Sequence, residues 1–430
     1  MRYKDEDSVK RATYGHIDLT FHEPLALSLE ANMKTTPLLN TYKRAAVDFV
    51  RGEGEFLYDS NGQRYIDLLS GIAVVSVGHA NPKVAAAIAE QANTLVHVSN
   101  LFGSLPMRKL AERLNQTTGA WGRVFFCNSG AEANECAIKL ARKAGNGKRY
   151  KILASEGGFH GRTLATLAAT GQPEKWKGFE PLPEGFMHRP YNNLEAFQAA
   201  LDDTVAAIMV EPIQGERGVI PGTAEFLQGL RDLCTKAGIA LIFDEVQTGI
   251  GRTGNWWAFQ TVGVKPDIMT SAKGIANGLP LGACIADEPF ASAFGPGDHG
   301  TTFGGNALVC AAALATLDEI EARNLMSEAK RKGELLANLL SKLSDVKEVR
   351  GAGLMRGVVL NSPIALNAVP EALERGLVMN ATSDSVLRLV PPLVISDSSI
   401  REAVDILKES LAAASALSTP AAVAANAGGY

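Results

Sequence analysis

Six short apolar runs mark the middle of the chain: RVFFC (123–127), YKILAS (150–155), VAAIMVEP (205–212), IALIFDE (239–245), PDIMTSA (266–272) and LGACIAD (281–287). They lack the polar alternation of half-exposed strands, so they predict parallel strands covered on both faces. Segments of helical period separate them. In AEFLQGLRDLCTKAG (224–238), Phe226, Leu230, Leu233 and Ala237 share one helical face, and Gly238 is placed to stop the helix. Strand and helix in alternation predict an α/β fold with a mostly parallel sheet. Ligands of such sheets sit beyond the carboxyl ends of the strands.

Near residue 320 the texture changes to charged amphipathic helix and then to the short strands of VRGAGLMRGVVL (349–360) and VLRLVPPLVI (386–395). The pattern predicts a large domain over 76–320 and a smaller α+β domain over 321–415. The N-terminal segment 1–75, through FLYDSNGQRYIDL (56–68), is expected to join the smaller one. The low-complexity end, 416–430, reads as a mobile tail.

Composition narrows the function classes. With 430 residues, 46% hydrophobic and 20% charged, the chain reads as an ordinary globular protein with a large core. A formal net charge of −4 argues against a nucleic-acid partner. No apolar run is long enough to span a bilayer, and the charged start MRYKDEDSVK lacks a secretory h-region. Cys127, Cys136, Cys234, Cys284 and Cys310 are odd in number and scattered, which fits neither a disulfide framework nor a metal site. They point to a reducing, cytoplasmic setting.

The chemistry gathers at strand ends. Asp244 closes the fourth run, Lys273 follows the fifth, and the first leads into Asn128-Ser129-Gly130-Ala131. Each has an ordinary explanation alone: a cap, a surface lysine, a helix start. Together they place a carboxylate, an amine and an anion-ready helix N-terminus at one ligand edge. That trio suits pyridoxal phosphate: free N–H groups for the phosphate, Lys273 for a Schiff base with the aldehyde, and Asp244 for the pyridine nitrogen. The small residues around Lys273 in TSAKGIANG are expected to make room for the cofactor. Two lures fail. The third glycine of GAGLMRG (351–357) falls one residue late for a dinucleotide loop, and HEP at His22 lacks the second histidine of a zinc protease.

From about Leu39 to Leu411 the sequence resembles the class III (ω-) aminotransferases, and within them the acetylornithine branch. The resemblance rests on NTYKR, LSGIAV, FFCNSGAEANE, GGFHGRT, EPIQGERGV, DEVQTGIGRTG, AKGIANGLPLGA, HGTTFGGN, RGAGLMRG and LRLVPPLVI. It implies a fold type I pyridoxal-phosphate enzyme, with Lys273 as the cofactor-linked lysine and Asp244 on the ring nitrogen. Ser129, Gly130 and Ala131 hold the phosphate, Val246 and Phe159 flank the ring, and Gln247 reaches its phenolic oxygen. Glu245 belongs to the same cofactor-binding set. Thr302 reaches the phosphate from the other subunit, which makes the expected assembly a homodimer with shared sites. On the substrate side the resemblance implies Tyr42, Thr301, Arg162 for the remote carboxylate, Arg388 for the α-carboxylate of glutamate, and Glu216 as its gate.

The implied reaction moves the δ-amino group of N2-acetylornithine to 2-oxoglutarate, giving N-acetylglutamate 5-semialdehyde and glutamate, a step of arginine biosynthesis. Related enzymes read a free α-amino group with two tyrosines. Tyr42 matches one, but Ile72 stands at the other and suits an acylated nitrogen. The branch usually has asparagine where Val75 stands, and a glycine or threonine at Arg217. The alternatives are another ω-aminotransferase, acting on ornithine, succinylornithine or 4-aminobutyrate, and a pyridoxal-phosphate-binding homologue without turnover.

Overall fold

The structure is a computed structural model and describes residues 37–417. His22, most of the expected tail and the first 36 residues lie outside the described residues. The chain divides after Asp48 into two compact units. In the first, residues 37–48 carry bends without regular elements, and the Arg44 guanidinium lies over the exposed Tyr42 ring at 5.6 Å.

The second unit opens with β1 (Phe49–Glu53), β2 (Phe56–Asp59) and β3 (Arg64–Asp67), an antiparallel meander. Next come β4 (Arg123–Cys127), β5 (Lys151–Ser155), β6 (Phe186–Arg189) and β7 (Val205–Val210). A small ribbon, β8 (Ile213–Gln214) with β9 (Ile220–Pro221), precedes β10 (Ala240–Asp244), β11 (Ile268–Ser271) and β12 (Gly282–Ala286). The C-terminal part adds β13 (Val346–Ala352), β14 (Met355–Leu360), β15 (Leu377–Val378), β16 (Asn380–Ser383) and β17 (Val386–Leu389).

Seven strands build the central sheet in the order β4-β12-β11-β10-β7-β5-β6. The apolar runs are apolar throughout because both faces are covered. Ala207, Met209, Ala240 and Ile242 pack with Cys136, Ile138 and Ala141 of the helix Gly130–Ala144. The alternate residues Ile208, Val210, Leu241 and Phe243 join the opposite core with Phe226, Leu230 and the helix Ala307–Ala322. The helix Ala224–Ala237 forms as its pattern predicts: Thr223 caps it by accepting from the Phe226 N–H, and Gly238 ends it at φ 63°.

One strand departs from the parallel expectation. β12 runs antiparallel to both neighbours, β11 and β4. Residues 272–281 are too few for a helical crossover, which needs about a dozen or more residues, so the chain returns as an antiparallel strand. β4, β10 and β11 still point the same way, and their carboxyl ends share one edge.

Farther along, GAGLMRG turns the antiparallel β13–β14 hairpin, with no phosphate loop. Within LRLVPPLVI only β17 is strand, since two prolines deprive the rest of ladder donors. The strand order there is β13-β14-β17-β16, while β15 pairs in parallel with β3 and so ties the C-terminal part to residues 64–67.

Candidate active site

A cavity of about 420 Å³ opens at the carboxyl edge of the sheet. Its wall includes Ser129, Gly130, Ala131, Phe159, Arg162, Asp244, Val246, Gln247 and Lys273, which the sequence scatters between positions 129 and 273. Parallel strands bring them together, because each of their loops leaves the sheet on the same side.

Asp244 ends β10 and is buried. Its Oδ2 accepts from Asn134 Nδ2 at 2.8 Å and pairs with His160 Nδ1 at 2.9 Å, while Oδ1 accepts from the Val246 N–H at 3.0 Å. Burial disfavours a charged His160, but the bond and charge of Asp244 hold its pKa above the ordinary imidazole value. Asn134 is fixed in turn by donating to the His160 carbonyl and accepting from Thr270 Oγ1 at 2.6 Å. The carboxylate is therefore oriented from three sides before any ligand arrives.

Lys273 stands just past β11 at φ 47°, a left-handed conformation that costs a non-glycine residue roughly 1–2 kcal/mol. Burial lowers its amine pKa; Glu216 opposes that shift and Arg388 adds to it. Of its small neighbours, Ala272 lines the cavity. Gly274 serves a different purpose from the one expected. A Cβ there would come within 2.5 Å of Ser76 Oγ, so it lets the turn press against residue 76.

The helix Gly130–Ala144 begins at the cavity. Ser129 caps it by accepting from the Glu132 N–H at 3.2 Å, and the Glu132 carboxylate takes the Asn128 N–H at 2.8 Å. The Gly130 and Ala131 N–H groups keep no such partner among the described residues. A Cβ on Gly130 would meet Val246 Cγ1 at 2.8 Å, so glycine is needed where the helix crosses the Val246 wall. Unsatisfied helix N–H groups, a neutral-leaning amine and an oriented carboxylate fit the phosphate, aldehyde and ring nitrogen of pyridoxal phosphate.

Arg388 lies on β17, 1% exposed. Its Nη1 donates to Glu216 Oε1 at 2.5 Å and to Gln247 Oε1 at 3.3 Å, and Nε donates to Asn380 Oδ1 at 3.3 Å. Burial would raise the Glu216 carboxyl, yet the charge and hydrogen bond of Arg388 hold it below its usual range. Arg217 does not disturb this pair. It is exposed, and its stem packs over Gly157, where a Cβ would meet Cγ at 2.9 Å. Arg162 is exposed at the mouth, its guanidinium 5.7 Å from the Phe159 ring centroid.

Other expected residues lie elsewhere. Glu245 turns away from the cavity and accepts from Thr248 Oγ1 and the Ala258 and Phe259 N–H groups; burial pushes its carboxyl up to about 7 against those bonds. Thr301 accepts from Asn128 Nδ2 at 3.2 Å at the rim, and Thr302 is exposed, outside this chain's own cavity wall. Tyr42 belongs to the separate first unit. Three polar wall residues were not singled out from sequence: Asn134, His160 and Glu211. A carboxylate directly after the apolar β7, at the same edge as Asp244, was the available signal for Glu211.

The aminotransferase class-III family matches residues 39–411. The acetylornithine aminotransferase of Corynebacterium efficiens is 50% identical over 385 residues, 87% of this chain and 95% of that protein. The N-acetylornithine aminotransferase structure from Stenotrophomonas maltophilia aligns with TM-score 0.76 and 36% identity, covering 86% of this chain and 97% of that one. An ornithine aminotransferase structure from Toxoplasma gondii, described with partial occupancy of PLP at its active site, aligns with TM-score 0.85 and 32% identity over 90% of this chain and 94% of that one. With its edge-of-sheet lysine and carboxylate, and with likeness over nearly all its described length, the chain belongs to the class-III aminotransferases.

Proposed function

We propose that this protein transfers the δ-amino group of N2-acetylornithine to 2-oxoglutarate, giving N-acetylglutamate 5-semialdehyde and glutamate, with pyridoxal 5′-phosphate as cofactor. The observation that carries the reading is the Arg388–Glu216 pair. A buried arginine beside the reacting centre suits the α-carboxylate of glutamate, whereas the δ-carbon of acetylornithine carries only hydrogens. Glu216 neutralises that receptor when no carboxylate occupies it. Ile72, in place of a hydrogen-bonding side chain, suits the acylated nitrogen.

When bound, the cofactor supplies an aldehyde that links covalently to amines and a ring that withdraws electrons from the linked carbon. The residues divide the remaining work. Gly130 and Ala131 offer N–H groups to its phosphate, with Ser129 holding the helix start; Val246 and Phe159 bound the ring, and Asp244 keeps its nitrogen protonated. Lys273 Nζ, biased toward its neutral form, takes the proton from the substrate carbon beside the reacting nitrogen and returns it to complete the exchange. Arg162 holds the remote carboxylate by its planar fork. Tyr42 and Thr301 are assigned to the substrate on the family resemblance.

The same reading makes the assembly a cytoplasmic homodimer. Thr302, outside its own cavity wall, serves the partner's phosphate, and exposed Leu101, Phe102 and Phe303 supply apolar surface for the contact. Five free cysteines suit a reducing compartment. No helix among the described residues is long and apolar enough to cross a membrane. We read residues 76–320 as the large domain and 321–415 as the smaller one. The β3–β15 pairing supports the contribution of the N-terminal segment to the latter.

Borohydride reduction followed by peptide mass spectrometry tests the assignment: the cofactor should be fixed to Lys273, and Lys273→Ala should lose both the label and turnover. A label on another lysine overturns it. A panel of donors with 2-oxoglutarate should rank N2-acetylornithine above ornithine and 4-aminobutyrate.

A further inference from the structure

Glu211 follows the fully buried β7 and is 5% exposed, yet no lysine or arginine pairs with it among the described residues. Burying an uncompensated carboxylate is costly, so its bonds must account for it. Oε1 accepts from the Phe159 N–H at 2.9 Å and Oε2 from the Gly215 N–H at 3.1 Å. One carboxylate thus holds two loops: the loop that carries Phe159 and Arg162, and the ribbon that carries Glu216. Glutamine could accept from one of these N–H groups but would turn its own NH2 toward the other. Among side chains of this length, only a carboxylate serves both.

The tie reaches farther. A Cβ on Gly215 would lie 2.2 Å from Gln247 Oε1, so the ribbon is packed against Gln247, which accepts from Arg388. We propose that Glu211 is a positioning residue of the transamination, fixing the Gly215–Glu216 ribbon against the Phe159 loop so that the gate over Arg388 opens about a set pivot. This rests on Glu216 acting as that gate, as proposed above. His160, Asp244, Lys273 and the Tyr191 hydroxyl are the titratable groups facing Glu211. Protonation of the carboxyl would exchange one accepted bond for relief from burying a charge, and since burial raises its pKa the closed tie favours the protonated form.

Hydrogen exchange followed by mass spectrometry on the holoenzyme tests the tie. In Glu211→Gln, exchange should rise in one of the segments 156–162 and 213–218, the one whose N–H the amide NH2 comes to face, about tenfold if one net hydrogen bond is lost there. The helix Ala224–Ala237 and β10 should stay unchanged. The KM for 2-oxoglutarate should rise by a similar, roughly tenfold factor while kcat moves less. Unchanged exchange in both segments, or an equal rise throughout the sheet, overturns the tie; altered exchange with an unaltered KM overturns the coupling to the gate. The wild-type protein gives an arm that needs no variant. After correction for intrinsic chemistry, protection in these two segments should increase as pH falls through about 7 and be lost as pH rises, because burial holds this carboxyl above the range it has once an opening solvates it, with His160 opposing and Asp244 reinforcing the rise. The same midpoint persisting in Glu211→Gln would assign the effect to His160 and reject the proposal.

Discussion

Arg388→Ala and Glu216→Ala should have opposite effects on the two halves of the reaction, and the structure sets the scale. Arg388 and Glu216 meet at 2.5 Å, with side-chain exposures of 1% and 28%. Removing one member of a buried, hydrogen-bonded charge pair costs about 2–5 kcal/mol. At about 1.4 kcal/mol per factor of ten, that is roughly 30- to 3,000-fold. Without Glu216, the more deeply buried Arg388 stays unpaired whenever acetylornithine is bound, so the donor half should suffer near the middle of that range. A glutamate or 2-oxoglutarate carboxylate replaces the missing partner, so the acceptor half should be spared. Without Arg388, the α-carboxylate loses its receptor and meets Glu216 instead, so the acceptor half should fall most. Stopped-flow measurement of each half-reaction, with one substrate at a time, separates the two. Equal losses in both halves for both variants would refute the gate. Arg217, which packs over Gly157 and away from the pair, should leave the ratio of the halves unchanged when replaced by glycine.

Thr302→Ala should weaken cofactor retention, and mixing it with a Lys273→Ala chain should restore part of the activity through hybrid dimers; no restoration in a verified hybrid would end the shared-site reading. Gly130→Ala places a methyl 2.8 Å from Val246 Cγ1. Overpacking should then destabilise the fold by about 1–3 kcal/mol, read as a lower melting temperature of the cofactor-free protein, and displacement of the Val246 wall should loosen cofactor retention, read by equilibrium dialysis. In the cofactor-free protein, the lowered Lys273 amine should acylate early in a competition at pH 8. Arg388→Ala, which removes a cation, should raise its pKa and slow labelling; Glu216→Ala should lower it further and speed labelling. The reverse order would contradict the electrostatic account.

The continuous apolar runs determined the central sheet, because a strand buried on both faces leaves no room for polar alternation; RVFFC, VAAIMV and ALIFD form β4, β7 and β10. The same pattern determined that Asp244, Lys273 and Ser129-Gly130-Ala131 would share an edge, since strands running in one direction deliver their ends to one side. Motif order determined the family. Strand direction was another matter. LGACIAD is as apolar as its neighbours, and only the length of its connection to β11 makes β12 antiparallel. Side-chain aim was equally hidden. Asp244 and Glu245 are adjacent, yet one ends β10 facing the cavity and the other, just past the strand, caps residues 258 and 259. Gly274 looked like space for a cofactor and is space for Ser76. The Arg388–Glu216 pair joins residues 172 positions apart, and the Glu211 tie joins loops on either side of β7. No local pattern encodes such distances. Chain folding brings those groups together, and burial then makes their pairing obligatory, since a lone charge or unsatisfied N–H in that interior would cost more than the contact itself contributes.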